Sequence, residues 1–247
     1  MPPTARALAR ETVTASILAA ARARLTDEGP AQLSLRAVAR DVGMVSSAVY
    51  RYFPSRDDLL TALLVADYDE LGAAVEDADR AAGPDPGTRW VATCRAIRQW
   101  SVTHPGDFAL LYGSPVPGYV APRETIEPAS RTTFVLVRVV ADAVASGAAA
   151  PETRDGTDGR PGSPTAPTAA PGVAGPAVAD AVASLRAADL ALPDEVLVRT
   201  LMAWSTVFGS ISFELFGHFV GSVSDGAAYF DQVVARLADD LGFAARF

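Results

Sequence analysis

Residues 34–60 read SLRAVARDVGMVSSAVYRYFPSRDDLL, from Ser34 to Leu60, and this stretch decides the fold. Ser34 is a good N-cap for a helix whose apolar face is Leu35, Val38 and Val42. Gly43 closes that helix and supplies a turn. A short helix over roughly Ser46 to Tyr52 comes next, stopped by Pro54. Ser55 then caps a further helix, with Asp57 and Asp58 in its first turn, where the helix dipole favours acids. Two short helices across a glycine turn have the layout of a helix-turn-helix reader, whose second helix enters the DNA major groove.

Helical spacing extends on both sides of this stretch. Val13, Ile17, Ala21 and Leu25 recur every four residues in a helix predicted over Arg10 to Glu28 and ended by Gly29-Pro30. Leu59, Leu60, Leu63, Leu64, Tyr68, Leu71 and Val75 carry the helix that starts at Ser55 to about Arg80. Residues 83–87 break the chain. Further helices are expected over Thr88–Thr103, after Pro105, over Arg123–Ser146, Ala177–Asp189, Asp194–Val220 and Asp225–Leu241, with a proline-glycine loop at Ser114–Pro122. Residues 148–176 hold six prolines and five glycines, and Val173 is their only large aliphatic residue; the segment reads as a disordered, mobile linker. No strand pattern and no internal repeat emerges. The expected fold class is all-α: a three-helix head over 1–56 on a larger helical body over 57–247.

The 247 residues are 49% hydrophobic, enough for a sizeable core, and carry a formal charge of −8. That charge is unevenly spread. Residues 1–60 hold eight arginines against six acids, a net +2, whereas residues 61–247 hold 13 against 23, a net −10. Basic excess on the head suits contact with phosphates, and an acidic body discourages spreading along DNA. Every basic residue is arginine. Cys94 stands alone, so no intrachain disulfide or cysteine-zinc set is possible, and it reads as a core residue. No signal peptide is visible at the N-terminus. The apolar run Leu197–Val223 is interrupted by Arg199, Glu214, His218 and glycines, which fits a buried or interface helix rather than a membrane span. A cytoplasmic location is expected, with no membrane partner.

Ser34, the alanines Ala37 and Ala39, Gly43, the run Tyr50-Arg51-Tyr52-Phe53 and the run Ser55–Leu60 together resemble the TetR/AcrR family of transcriptional regulators. The family's turn serine is Val45 here, its early recognition-helix glycine is Ser47, and its helix-four lysine is Arg56. Residues 100–105 (WSVTHP), 108–113 (FALLYG), 115–119 and 203–209 (AWSTVFG), with Phe213-Glu214-Leu215, resemble the WHG-type C-terminal subtype, with Phe208 where a histidine is usual. The resemblance implies an effector-sensing body and a homodimer built on the last two long helices.

These readings name the candidate residues. For double-stranded operator DNA they are Ser34 at a helix start; Val45, Ser46, Ser47 and Ala48 in the recognition helix's first turn; Tyr50 and Tyr52 for phosphates; and Arg56 as a phosphate clamp. Ser47 can equally be a packing residue, whereas for Tyr50 contact is favoured over core. Val49, Phe53, Leu35, Val38 and Leu59 read as core. For a small-molecule effector the candidates are Trp90, Trp100, His104, Phe108, Tyr112, Tyr119 and Phe134, though aromatics at helical spacing are more often core than ligand contacts. For the dimer they are Trp204, Phe208, Ile211, Phe213 and Leu215, a stripe that can also be monomer core. His104 reads as a capping residue rather than a metal ligand. No phosphate loop, nucleophile elbow or metal-spaced histidine set is present, so neither an enzyme nor a cofactor is expected. The expectation is a ligand-responsive regulator, most simply a repressor released by a small apolar molecule. An activator, or a regulator without an effector, stays open, and an all-α enzyme is remote.

Overall fold

The computed structural model describes residues 4–148 and 192–247, together with 179, 180 and 183. Among these residues the regular structure is helical and no strand occurs. In chain order the α-helices are α1 (Ala5–Glu28), α2 (Leu35–Asp41), α3 (Ser46–Val49), α4 (Arg56–Ala81), α5 (Pro86–Thr103), α6 (Pro105–Tyr112), α7 (Ile126–Ala145), α8 (Asp194–Leu215) and α9 (Gly226–Asp240). Single 3-10 turns precede α2 at Pro30–Gln32 and α7 at Arg123–Thr125. The expected linker lies outside the described residues except for its first position, and the expected helix over 177–189 lies almost wholly outside them.

The chain packs as two units. The first comprises Met1–Asp77, Ala96–Thr132 and Ile211–Phe219. Its core is the one the spacing implies: Ile17, Ala21 and Leu25 of α1 meet Leu35 and Val38 of α2, Val49 of α3, Phe53, and Leu59, Leu60 and Leu63 of α4. Leu110 of α6 and Val116 join the same core. A side chain at Gly106 would put its Cβ 2.5 Å from the backbone nitrogen of Thr26, so α6 meets α1 closely only because no side chain intervenes. The 105–116 segment is thus part of the core around α1.

The second unit comprises Ala78–Arg95, Thr133–Ser210 and Val220–Phe247. Trp90 is fully buried there, its indole N–H donating to Val234 O at 3.0 Å and its ring edge-on to Phe243. Arg89 Nε donates to Asp79 at 2.7 Å and its Nη1 to Asp142 at 2.6 Å. Phe134 packs beside Val137 and Leu197. Cys94 is buried as expected, and burial pushes its thiol well above the usual range.

Helix ends depart from the sequence reading for local reasons. α1 begins five residues before Arg10 because Thr4 Oγ1 accepts the Ala7 amide at 3.2 Å, an N-cap that lies ahead of the apolar spacing. α3 closes at Val49 rather than Tyr52. α8 stops at Leu215 instead of reaching Val220, because Gly217 turns into the left-handed region at φ 77° and the His218 amide donates back to Phe213 O at 2.9 Å. The Ser55 cap is present: its hydroxyl accepts the Asp58 amide at 3.1 Å and donates to the Asp58 carboxylate at 2.6 Å.

Candidate nucleic-acid interface

The turn between α2 and α3 is made by Gly43 at φ 66°, with the Met44 amide donating to Ala39 O at 2.9 Å. It directs the start of α3 outward. Val45 is 70% exposed and Ser47 is exposed, while Ser46 and Ala48 are half-buried. Val49, one turn on, is fully buried and anchors the helix in the core. Tyr50 is 42% exposed. Tyr52 is half-buried, and the Arg10 guanidinium lies over its ring at 5.1 Å. Ser34 is exposed and makes no side-chain capping bond to α2, leaving its hydroxyl available to an outside partner.

A shallow groove brings Ser34, Tyr50, Ser55 and Arg56 together with Arg36, which the sequence reading passed over. Arg36 lies on the exposed side of α2, and among the described residues no acid pairs with it. The signal for it was present: a basic residue two positions after a cap, in the half of the chain with the basic excess. Arg56 has a different role from the expected clamp. Its Nε donates to Leu33 O at 3.0 Å, and its Nη2 to Pro30 O at 2.9 Å and Ala31 O at 3.0 Å. The guanidinium ties the start of α4 to the 3-10 turn ahead of α2 and so holds the groove in shape. Carbonyls left over at the end of a short helical turn are natural partners for it.

The candidate effector residues separate. Trp90 and Phe134 belong to the core of the second unit, with the partners given above. Trp100, His104, Phe108, Tyr112 and Tyr119 belong to the first unit. There the His104 ring stacks on Trp100 at 5.0 Å, and Phe108 lies 5.3 Å from Tyr112, which meets Tyr68 edge-on at 6.0 Å. Tyr119 Oη and Thr61 Oγ1 are 2.8 Å apart. His104 Nδ1 lies 2.9 Å from Trp100 O, which fits the expected capping role. Burial raises the Tyr112 hydroxyl far above its ordinary value, so it stays protonated.

Beside these aromatics sits a charge cluster with no signature in the sequence. Arg22 of α1 donates from Nε to Asp67 Oδ1 of α4 at 2.8 Å, and its Nη1 lies 2.9 Å from Glu70. Asp107 of α6 stands 3.9 Å from the same guanidinium. Among the described residues, the buried Asp67 Oδ2, Asp107 Oδ1 and Trp100 Nε1 have no hydrogen-bond partner. Arg22, Asp67 and Asp107 are separated by tens of positions, and no spacing rule would have joined them.

The expected dimer residues divide, with Trp204 and Leu215 half-buried and Phe213 exposed. Ile211 is fully buried and Phe208 nearly so, both inside the protomer, and Trp204 leans on Phe208 at 5.7 Å. Positions 204, 208 and 211 share one helix face, and that face packs inward. The outward apolar residues of α8 are Met202 and Phe213, the latter 51% exposed; Phe216 and Val220 just beyond it and Tyr229 of α9 are also exposed. By length and composition alone α8 could cross a membrane. It also carries Arg199, bonded to Glu195 and to Asp240 O, and Glu214, bonded to Arg98.

Known proteins match the chain along most of its length. The family model described as "Bacterial regulatory proteins, tetR family" matches residues 17–63. The model described as "Tetracyclin repressor-like, C-terminal domain" matches residues 90–158 and 157–237. An HTH-type transcriptional regulator of Mycobacterium tuberculosis is 40% identical over 245 residues, covering 94% of each chain. The HTH-type transcriptional repressor LfrR of Mycolicibacterium smegmatis is 43% identical over 82 residues, which are 33% of this chain and 42% of that one. Among solved structures, the regulatory protein SCO4313 matches with a TM-score of 0.71 and 30% identity, covering 96% of this chain and 100% of its own.

Proposed function

The chain belongs to the TetR family of bacterial transcriptional regulators, and on that footing we propose that it acts in the cytoplasm as a homodimeric repressor released from its operator by a small apolar molecule. One observation carries the reading most. The first turn of α3 stands out from the surface on a buried Val49, beside a groove holding Ser34, Arg36 and Tyr50. Val45 and Ala48 offer apolar contact to thymine methyls, Ser46 and Ser47 offer hydroxyls to base edges, and Ser34, Arg36, Tyr50 and Tyr52 face phosphates. Arg56 acts as a positioning residue for that groove.

Repression is favoured by the likeness to LfrR, a transcriptional repressor, over 82 residues of this chain. A dimer is favoured because a reader of a symmetric site needs two heads about one DNA turn apart. Its faces would be the outward sides of α8 and α9, through Phe213, Met202 and Tyr229, with Trp204 and Leu215 at the margin. For the effector, the set Trp100, His104, Phe108, Tyr112 and Tyr119 is the best-supported lining, apolar with few polar atoms.

The test is release. A duplex enriched by the purified protein from a random pool is bound, and metabolites are screened for displacement. Trp100→Ala and Tyr112→Ala should blunt the response to an active compound while effector-free binding stays near normal. Full response in both variants would move the site elsewhere and return those aromatics to the core.

A further inference from the structure

We propose that Asp67, Glu70 and Asp107, gathered around the Arg22 guanidinium, form a proton-responsive joint between α1 and α6, and that loss of one proton from it loosens the joint and weakens DNA binding. Three helices meet there. Arg22 comes from α1, Asp67 and Glu70 from α4, and Asp107 from the first turn of α6. Asp67 has no exposed surface and Asp107 only 4%. Each keeps one buried oxygen without a partner among the described residues, so neither carboxylate is fully solvated by the protein. Among the described residues His104 also faces the cluster, its Nε2 3.4 Å from Glu70.

One guanidinium stands against three carboxylates, and while Arg22 and Glu70 keep contact with solvent, Asp67 and Asp107 hold their share of the surplus negative charge in a water-poor place. Such surplus is costly, and the usual relief is to keep a proton. Burial, and then the neighbouring Asp107 charge, push the Asp67 carboxyl up to about 7 against the pull of Arg22. Burial also raises Asp107, with Arg22 and His104 opposing. The cluster therefore releases its proton near neutrality, where a cell can use it.

Losing that proton sets Asp67 of α4 against Asp107 of α6. Relief comes from water entry, and water entry parts the helices. The contact has no slack, since Gly106 of α6 lies one helical turn along α1 from Arg22, closed against Thr26. α1 in turn supplies Ile17, Ala21 and Leu25 to the core that seats α2 and α3. A loosened α1 gives the recognition helix a wider range of positions, and ordering two such heads on one duplex costs affinity.

This inference rests on the first unit reading DNA, and the experiment separates the two. The full chain is titrated with a duplex it enriches from a random pool, at constant salt, from about pH 6 to about pH 8. Wild type should lose about fivefold or more in affinity, and Asp67→Asn should stay flat at the low-pH value. A flat wild type, or Asp67→Asn following wild type, overturns the joint. Should no duplex bind at any pH, the DNA reading fails, and melting without DNA still tests the joint. The wild-type melting temperature should fall across that range, while that of Asp67→Asn should not. If Asp67→Asn does not fold, Asp107→Asn serves the same test, since removing that charge frees Asp67 to ionise at lower pH and shifts the response downward.

Discussion

Tyr50, Arg36 and Arg56 line one groove but do different work there. Tyr50→Phe should weaken DNA binding by about fivefold on all sequences alike, the loss of a hydrogen bond worth about 1 kcal/mol. Arg36→Ala should lower the slope of log affinity against log salt by about one unit, read by titration at several salt concentrations. An unchanged slope would remove Arg36 from the phosphate contacts. Arg56→Ala should act on stability instead, by about 1 to 3 kcal/mol in denaturant unfolding, because three backbone carbonyls lose their partner. Asp67 sets a pH dependence whose sign is fixed. Its folded value stands above its ordinary 3.8, at about 7, so folding is penalised increasingly as pH climbs between those values and no further beyond. Asp67→Asn should flatten that slope in melts taken from about pH 4 to about pH 8. At this scale the core was legible in the sequence, because Ile17, Val38, Val49 and Leu59 announce themselves by spacing. Arg56 and Arg22 were not, because a guanidinium on a helix surface reads alike whether it faces phosphate, carbonyl or a buried acid.

Helix identities followed from apolar period and caps, and their ends from single residues that the period does not weigh. Thr4 extends α1 backward and Gly217 cuts α8 short. The dimer stripe shows the same limit. Trp204, Phe208 and Ile211 do form one apolar face, but period alone cannot say whether a face meets its own protomer or a partner. Phe213, on the outward side, is the better probe. Phe213→Arg should yield monomers in sedimentation at micromolar concentration while keeping the helical content of wild type. Ile211→Arg should fail to fold, since it buries a charge in the core. A dimer that survives Phe213→Arg would move the interface off this face of α8. Gly106→Val should part α6 from α1 and lower the melting temperature, because its Cβ meets backbone at 2.5 Å.

Across the whole molecule, charge and fold point to one activity. Arginine excess lies in the first 60 residues and acid excess in the rest, so long-range attraction to DNA favours approach by the α2–α3 face. Residues 149–176 lie outside the described residues; on the sequence reading of 148–176 as a linker, replacement by a Gly-Ser stretch of similar length should leave the melting temperature and DNA affinity nearly unchanged. The fold class was readable because every long segment carries a helical period; the charge cluster was not, because it exists only once α1, α4 and α6 come together. Whether a dimer reads a specific DNA site through α3 is decided by sequencing the duplexes that the purified protein enriches from a random pool. The expected result is an inverted repeat with half-sites about 10 base pairs apart or a multiple of that, altered at the bases facing position 47 when Ser47→Asn is used. A pool that stays random, or one motif unchanged by substitution in α3, would contradict it.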